Sequence, residues 1–199
     1  MNRFEKARKL IKQNNGIIRT SEALKAGIHR RTLYELRDTG ELEQISRGIY
    51  RLAEQKPISN PDLVTVAARF PKAVVCLVSA LSYHDITTQI PHAVSIAIEK
   101  GAESPRIDYP PVSVHRFSGD SLTEGIEKKK IDGVKVRIYN PEKTLADCFK
   151  FRNKIGMDVV LEALKLYRER KKIRLDELMR YARICRVEKV MKPYLEATI

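Results

Sequence analysis

The chain contains no tryptophan, only 7% aromatic residues and just three cysteines in 199 positions. Cys76, Cys148 and Cys185 lie far apart, without a CxxC spacing or a neighbouring histidine cluster. That excludes both a zinc-ligand set and a disulfide framework. No apolar run approaches the ~18 residues of a membrane span. The opening MNRFEKARKLIKQNN is amphipathic rather than continuously apolar, so a cytoplasmic protein with no membrane partner is expected. P-loop, GxGxxG and HExxH patterns are absent. None of the four histidines, His29, His84, His92 and His115, stands four residues from another metal-binding side chain. His84-Asp85 reads as a helix end. A nuclease core needs clustered carboxylates followed by a lysine on a strand, and Glu99-Lys100 is a poor approach to one. No catalytic residue, metal or cofactor is expected, and the chain is not read as an enzyme.

What is present is positive charge. Thirty-eight Lys and Arg oppose 25 Asp and Glu, a formal +13 with a pI near 9.7, while 43% hydrophobic residues supply a core. Such a balance points to a polyanion, nucleic acid before anionic membrane. Residues 1–56 carry 13 basic against 7 acidic side chains, residues 57–155 carry 14 against 11, and residues 156–199 carry 11 against 7. The positive density therefore sits at the two ends.

Phe4, Ala7, Leu10 and Ile11 recur at helical spacing, predicting a helix over 3–14 that Asn15-Gly16 ends. Gly16–Arg19 is a short extended piece. Thr20 or Ser21 caps a second helix and Gly27 stops it. A third helix runs from about Arg30 to Thr39 and closes at Gly40. Leu42–Ser46 and Ile49–Leu52 then alternate across Arg47-Gly48, a two-residue hairpin turn. Three helices and a hairpin make a winged helix-turn-helix. Its crossing demands a small residue on one helix, glycine at the turn and an apolar residue packing back. Ala23, Gly27 and Leu33 supply these at offsets of four and six, with Ala26, Ile28 and Leu36 filling the interior.

At about 100° per residue, Leu33 and Leu36 of the third helix face inward. Arg31, Tyr34, Glu35 and Asp38 face outward, and Arg30 and Thr32 lie on the flanks. The basic half leads, where a recognition helix enters the major groove and its dipole favours phosphate. Arg30 or Arg31 suits guanine O6/N7, Tyr34 suits a phosphate, and Arg47 at the wing tip suits the minor groove or backbone. Arg37 is expected near the core edge, its stem packed and its head snorkelling.

Pro57, Ser59, Asn60 and Pro61 read as a linker between a DNA-binding domain, 1–56, and an effector domain, 57–199. The second domain is mixed α/β to about 155 and helical thereafter, so the fold class is α+β. Helices are expected over 61–70, 79–84 and 141–151. Strands are expected over 73–78, 92–98, 112–117 and 134–139, with a polar loop over 123–133 holding Lys128–Lys130. Val160, Leu161, Leu164, Tyr167, Leu175, Leu178, Met179 and Ala182 form a helical bundle. Around it project Lys165, Arg168, Arg170, Lys171, Lys172, Arg174, Arg180, Arg183 and Arg186, either solvated or forming a second anion-binding or acidic-protein surface.

The pattern GIIRTSEALKAGIHRRTLYELRDTGELEQISRGIYRL resembles the winged-helix domain of AbiEi-type antitoxins of type IV toxin–antitoxin systems. SALSYHDITTQIP and YNPEKTLADCFKFRNKIG extend the resemblance along the chain. It implies an operator-binding N-terminal domain that represses its own promoter at inverted repeats in double-stranded DNA. It also implies a C-terminal domain opposing a cognate nucleotidyltransferase toxin, in the setting of abortive infection. By position, Arg30, Arg31, Thr32 and Tyr34 fall on the family's recognition helix and Arg47 on its wing. His29 departs from the small cap common at that helix start. Two alternatives stand beside this reading: a regulator with a ligand-sensing or dimerising C-terminal domain and no toxin, and a winged-helix-targeted nuclease.

Overall fold

Asn2 opens the chain by capping its first helix. Its side chain accepts the Phe4 N–H while Glu5 accepts the Asn2 N–H, satisfying two donors that a helix start leaves orphaned. The computed structural model describes residues 2–170 and 173–196. It divides into two compact units, Met1–Pro71 with Lys130–Val136, and Lys72–Lys129 with Arg137–Ile199.

The first unit runs α1 (Arg3–Gln13), β1 (Ile17–Arg19), α2 (Thr20–Lys25), α3 (Arg30–Asp38), β2 (Leu42–Ser46), β3 (Ile49–Leu52) and α4 (Pro61–Arg69). Its antiparallel strands lie in the order β1-β3-β2. Gly27 ends the α2 turn at φ +77°, a conformation only glycine takes freely. Ala7, Ile11, Ile18, Ala23, Ile28, Leu33, Leu36, Leu42, Tyr50 and Leu52 form one buried cluster, each large aliphatic worth about 1.5–3 kcal/mol of burial. The helix-turn-helix offsets thus describe a real core, followed directly by the wing.

The segment expected to be a linker is structured. Asn60 accepts the Leu63 N–H and Pro61 occupies the first helical position, so this polar pair starts α4. The returning segment also bonds within the unit. Asp132 accepts from the Ser59 N–H (2.8 Å) and hydroxyl (2.7 Å), and Lys130 Nζ donates to Asn15 Oδ1 at 2.5 Å.

The second unit continues with β4 (Val74–Val75), α5 (Leu77–Tyr83), β5 (Val94–Glu99), β6 (Val112–Phe117), α6 (Asp120–Thr123), β7 (Ile126–Ile131), β8 (Val134–Tyr139), α7 (Pro141–Lys150), α8 (Arg152–Ile155), α9 (Met157–Arg168), α10 (Leu175–Ile184) and α11 (Glu188–Glu196). Its mixed sheet has the order β6-β5-β4-β8-β7. Two expectations change here. The run 73–78 is strand only at Val74–Val75, and helix takes over at Leu77, because an apolar run has no periodicity to separate the two. The loop expected over 123–133 contains β7, whose lysines suit it because it is an edge strand with one side open to water.

Helix α7 is the spine of this unit, buried from Glu142 to Phe149. Lys143 and Asp147 have no exposed surface and pair at 2.5 Å, with Lys143 Nζ 4.1 Å from the Tyr139 ring centroid. The Cys185 thiol donates to the other Asp147 oxygen at 3.2 Å. Buried Glu142 accepts from Tyr167 Oη (2.8 Å) and from Arg174 Nε (3.1 Å) and Nη2 (2.8 Å). Burial pushes the Asp147 carboxyl up while Lys143 pulls it down. These charges stay inside because every one has a partner.

Leu161 and Leu175, expected inside the C-terminal bundle, are exposed, while Val160, Leu164, Tyr167, Leu178 and Ala182 are buried. Their neighbours in sequence set which helix face meets α7, and an apolar residue one position off that face stays outside.

Candidate nucleic-acid interface

Helix α3 begins after His29, which makes no side-chain cap hydrogen bond. No side-chain cap covers its leading turn, which carries Arg30 and Arg31 and where the helix dipole favours an anion. Arg30 is exposed. The Arg31 side chain is 84% exposed, and its Nε donates to Glu35 Oε1 at 3.0 Å while Arg3 Nη2 donates to Glu35 Oε2 at 2.8 Å. Exposed pairs of this kind are worth little, so a phosphate can replace the carboxylate at small cost. Tyr34 is 42% exposed and lies beside these arginines on the outer face.

One residue differs from the wheel. Thr32, expected on the flank, is buried on the inner face with Leu33 and Leu36. The helix is wrapped by α1, α2 and β2, so its buried arc is wider than two leucines suggest. Arg37, expected near the core edge with its stem packed and its head snorkelling, has a side chain 39% exposed. Its guanidinium lies 5.2 Å from the Tyr34 ring centroid and donates to Asp38 Oδ1 through Nε (2.9 Å) and Nη2 (2.7 Å). Beneath them, burial pushes the Tyr50 phenol up, so it stays neutral.

The wing is braced at its tip. The Gly48 carbonyl accepts the Thr20 N–H at 2.8 Å and the Thr20 hydroxyl at 3.2 Å. The Arg47 carbonyl accepts Arg69 Nη1 at 2.7 Å, and the Ala68 carbonyl accepts Arg19 Nη2. Gly48 takes φ +73°, and the register slips by one residue between Gln44 and Ser46. The main chain at the tip is thus held while the Arg47 side chain remains exposed. Arg30, Arg31, Tyr34 and Arg37 come together on one helix face, and Arg47 stands on the wing. Arg19 and Arg69 were missed by sequence reasoning. They act through contacts 49 and 22 residues away, which no local pattern announces.

Elsewhere, His84 is buried and its Nε2 lies 2.7 Å from the Tyr139 carbonyl. Burial lowers its pKa, so the neutral ring donates there and closes α5 as a helix end. No group of three or more His, Cys, Asp or Glu among the described residues is placed to hold a metal ion. No helix among them is long and apolar enough to cross a membrane.

Residues 5–53 match the family model described as a transcriptional regulator, AbiEi antitoxin. The match covers α1 through the wing, so the resemblance read from the sequence is shown for this segment. No curated protein gives a significant match. Among solved structures, the crystal structure of the RV2827C protein from Mycobacterium tuberculosis is similar, with a TM-score of 0.59 at 16% identity over 90% of this chain and 70% of that one. At that identity the likeness is one of fold.

Proposed function

We propose that the first unit binds double-stranded DNA at inverted repeats in its own promoter, and that the protein is an autorepressor and antitoxin opposing a nucleotidyltransferase toxin. The observation that carries the DNA reading is the uncapped, basic leading end of α3 beside a wing whose tip is fixed by hydrogen bonds. Arg30 and Arg31 reach base edges or phosphates at the helix start, Tyr34 meets a phosphate, and Arg47 contacts the backbone or minor groove. Thr32 supports α3 from inside. Arg37 stacks on Tyr34 and restricts its rotamers. The family match over residues 5–53 supports the antitoxin part. A two-subunit footprint would follow if each protein reads one half-site.

The test is a footprint and salt titration on the upstream DNA. The combined Arg30→Ala and Arg31→Ala variant is expected to bind at least about tenfold more weakly, since each good contact is worth about 1–3 kcal/mol. It should also flatten the salt dependence, because each lost phosphate contact removes about 0.9 from the logarithmic slope. Parent-like affinity and slope in that variant would remove the assignment. Co-expression with the adjacent reading frame tests the antitoxin role: a neighbour that arrests growth only without this protein supports it.

A further inference from the structure

The basic helices of the second unit divide once their partners are known. Arg174 pairs with Glu142 and Glu177, Arg180 with Glu124, Arg183 with Glu188, and Arg170 donates to the His84 carbonyl. Lys171 and Lys172 lie outside the described residues. The Arg186 guanidinium makes no hydrogen bond or ion pair within the described residues, its main-chain N–H alone donating to the Arg183 carbonyl at 3.0 Å, and neither does the Lys150 ammonium, which lies 5.7 Å from the Phe117 ring centroid.

Lys150 and Arg186 line the same cleft. It has a volume of about 580 Å³, the size of a small-ligand site, and is otherwise lined by Ser118, Gly119, Asp120, Ser121, Ile184 and Cys185. One aliphatic side chain in that set makes it polar, with two cations against one carboxylate. Arg186 holds a further oddity. It closes α10 in the left-handed conformation at φ +60°, with the Val187 N–H bonded to the Ala182 carbonyl, a position where glycine is free of strain and arginine is not. The steric cost is borne by a residue whose side chain is at the cleft and has no partner there.

The chemistry of the cleft floor narrows the ligand. Burial drives the Cys185 thiol up to about 12, and that thiol donates to Asp147. A protonated, hydrogen-bonded sulfur is no nucleophile, so the cleft is suited to binding rather than covalent chemistry. The Ser121 hydroxyl already donates to the Ser118 carbonyl at 2.8 Å, leaving it an acceptor, while Asp120 is exposed as a second acceptor. Cationic donors and hydroxyl-accepting oxygens therefore share one cavity.

We infer that this cleft binds a small phosphate-bearing ligand that also carries hydroxyl groups, with Lys150 and Arg186 holding the phosphate and Asp120 and Ser121 accepting from the hydroxyls. Lys150 contributes a compact charge and Arg186 a planar fork that binds two phosphate oxygens at once. This assignment is independent of the DNA reading, since none of its residues belongs to the first unit.

The probes are inorganic phosphate and ribose 5-phosphate, titrated into the full chain at constant ionic strength and followed by backbone amide shifts. Both are expected to give saturable shifts over residues 118–121 and 185–187, with ribose 5-phosphate binding more tightly. Arg186→Gly should weaken both by about tenfold, the loss of one charge-assisted contact, while its melting temperature stays level or rises as the strain at φ +60° is relieved. Lys150→Gln should weaken both without touching α10, and Asp120→Asn should reduce the preference for ribose 5-phosphate. Absence of saturable shifts at these amides overturns the proposal, as does parent-like binding in both Arg186→Gly and Lys150→Gln. Operator binding should be unchanged in these variants; if a DNA duplex shifts the same amides and the small probes do not, the cleft is a DNA-backbone contact instead.

Discussion

Two carboxylates on α7, five residues apart, should respond very differently to loss of their charge. Asp147→Asn leaves the Lys143 ammonium fully buried against Tyr139 and Phe117 with no counter-charge. Breaking such a pair from one side costs about 3–5 kcal/mol, most of it the stranded ion. Glu142→Gln also removes a buried negative charge, but its partner Arg174 is 46% exposed and regains water. The amide still offers an oxygen to Tyr167, so about 1–2 kcal/mol is expected, the charge-assisted share of the bonds. For a unit of some 120 residues, those figures correspond to melting shifts of roughly 10–20 °C and a few degrees. Thermal and urea unfolding followed by tyrosine near-ultraviolet circular dichroism reads both, because Tyr139, Tyr167 and Tyr181 all sit in this core. The double replacement Lys143→Met with Asp147→Leu should recover most of the loss, since apolar pairs of similar volume often equal or exceed buried ion pairs. If Asp147→Asn costs no more than Glu142→Gln, or the apolar pair is as damaging as the single change, the stranded-charge argument is wrong.

Two further expectations concern proton binding and backbone space. His84 and His115 are both held below the ordinary histidine pKa, chiefly by burial, with Lys154 adding to the effect at His115. Their neutral forms contribute stability that is full above about pH 6.5 and is lost as pH falls toward the folded-state values. Melting temperature should therefore drop between pH 7 and pH 5.5, and His84→Gln with His115→Gln should flatten that drop; equal slopes in variant and parent would contradict it. Gly125 has φ +75°, and an added Cβ would meet the Lys143 Cβ at 2.6 Å, whereas the same change at Gly40, φ +77°, meets nothing within 4 Å. Gly40→Ala should cost about 1–2 kcal/mol for the backbone alone, and Gly125→Ala about 1–3 kcal/mol more for overpacking; equal melting shifts would show that α7 yields.

The legibility of this chain in its sequence follows the range of the forces involved. The helix-turn-helix was readable because its determinants are local: Ala23, Gly27 and Leu33 lie within one short stretch, and Gly27, Gly40 and Gly48 all take the positive φ that their turns require. β6 and β8 were equally plain, as alternating runs bounded by turn residues. What escaped was decided by distant partners. Nothing in IEKKKI marks an edge strand until β8 lies beside it. Thr32 moved inward from the flank the wheel gave it because α1 and β2 widen the buried arc of α3, while Tyr34 offers the Arg37 head a ring outside it. The Lys143–Asp147 pair has the spacing of any exposed helix salt bridge, and only the elements packed around α7, among them α5, α9 and α10, bury it. The cleft at Arg186 joins residues 118, 150 and 186, three places with no shared motif.

The return of residues 130–136 to the first unit has a consequence in time. At about 5–20 residues per second, roughly 3–13 s of synthesis separate Pro71 from Val136. During that interval the Asn15 side chain and the Ser59 N–H and hydroxyl wait for Lys130 and Asp132, which bond to them only afterwards. The first unit is therefore finished late, after the ribosome has already made β4 to β7 of its neighbour. A fragment ending at residue 56 or 71 would freeze the chain in that unfinished state, so a winged helix meant for isolated study should carry its late-arriving hairpin with it.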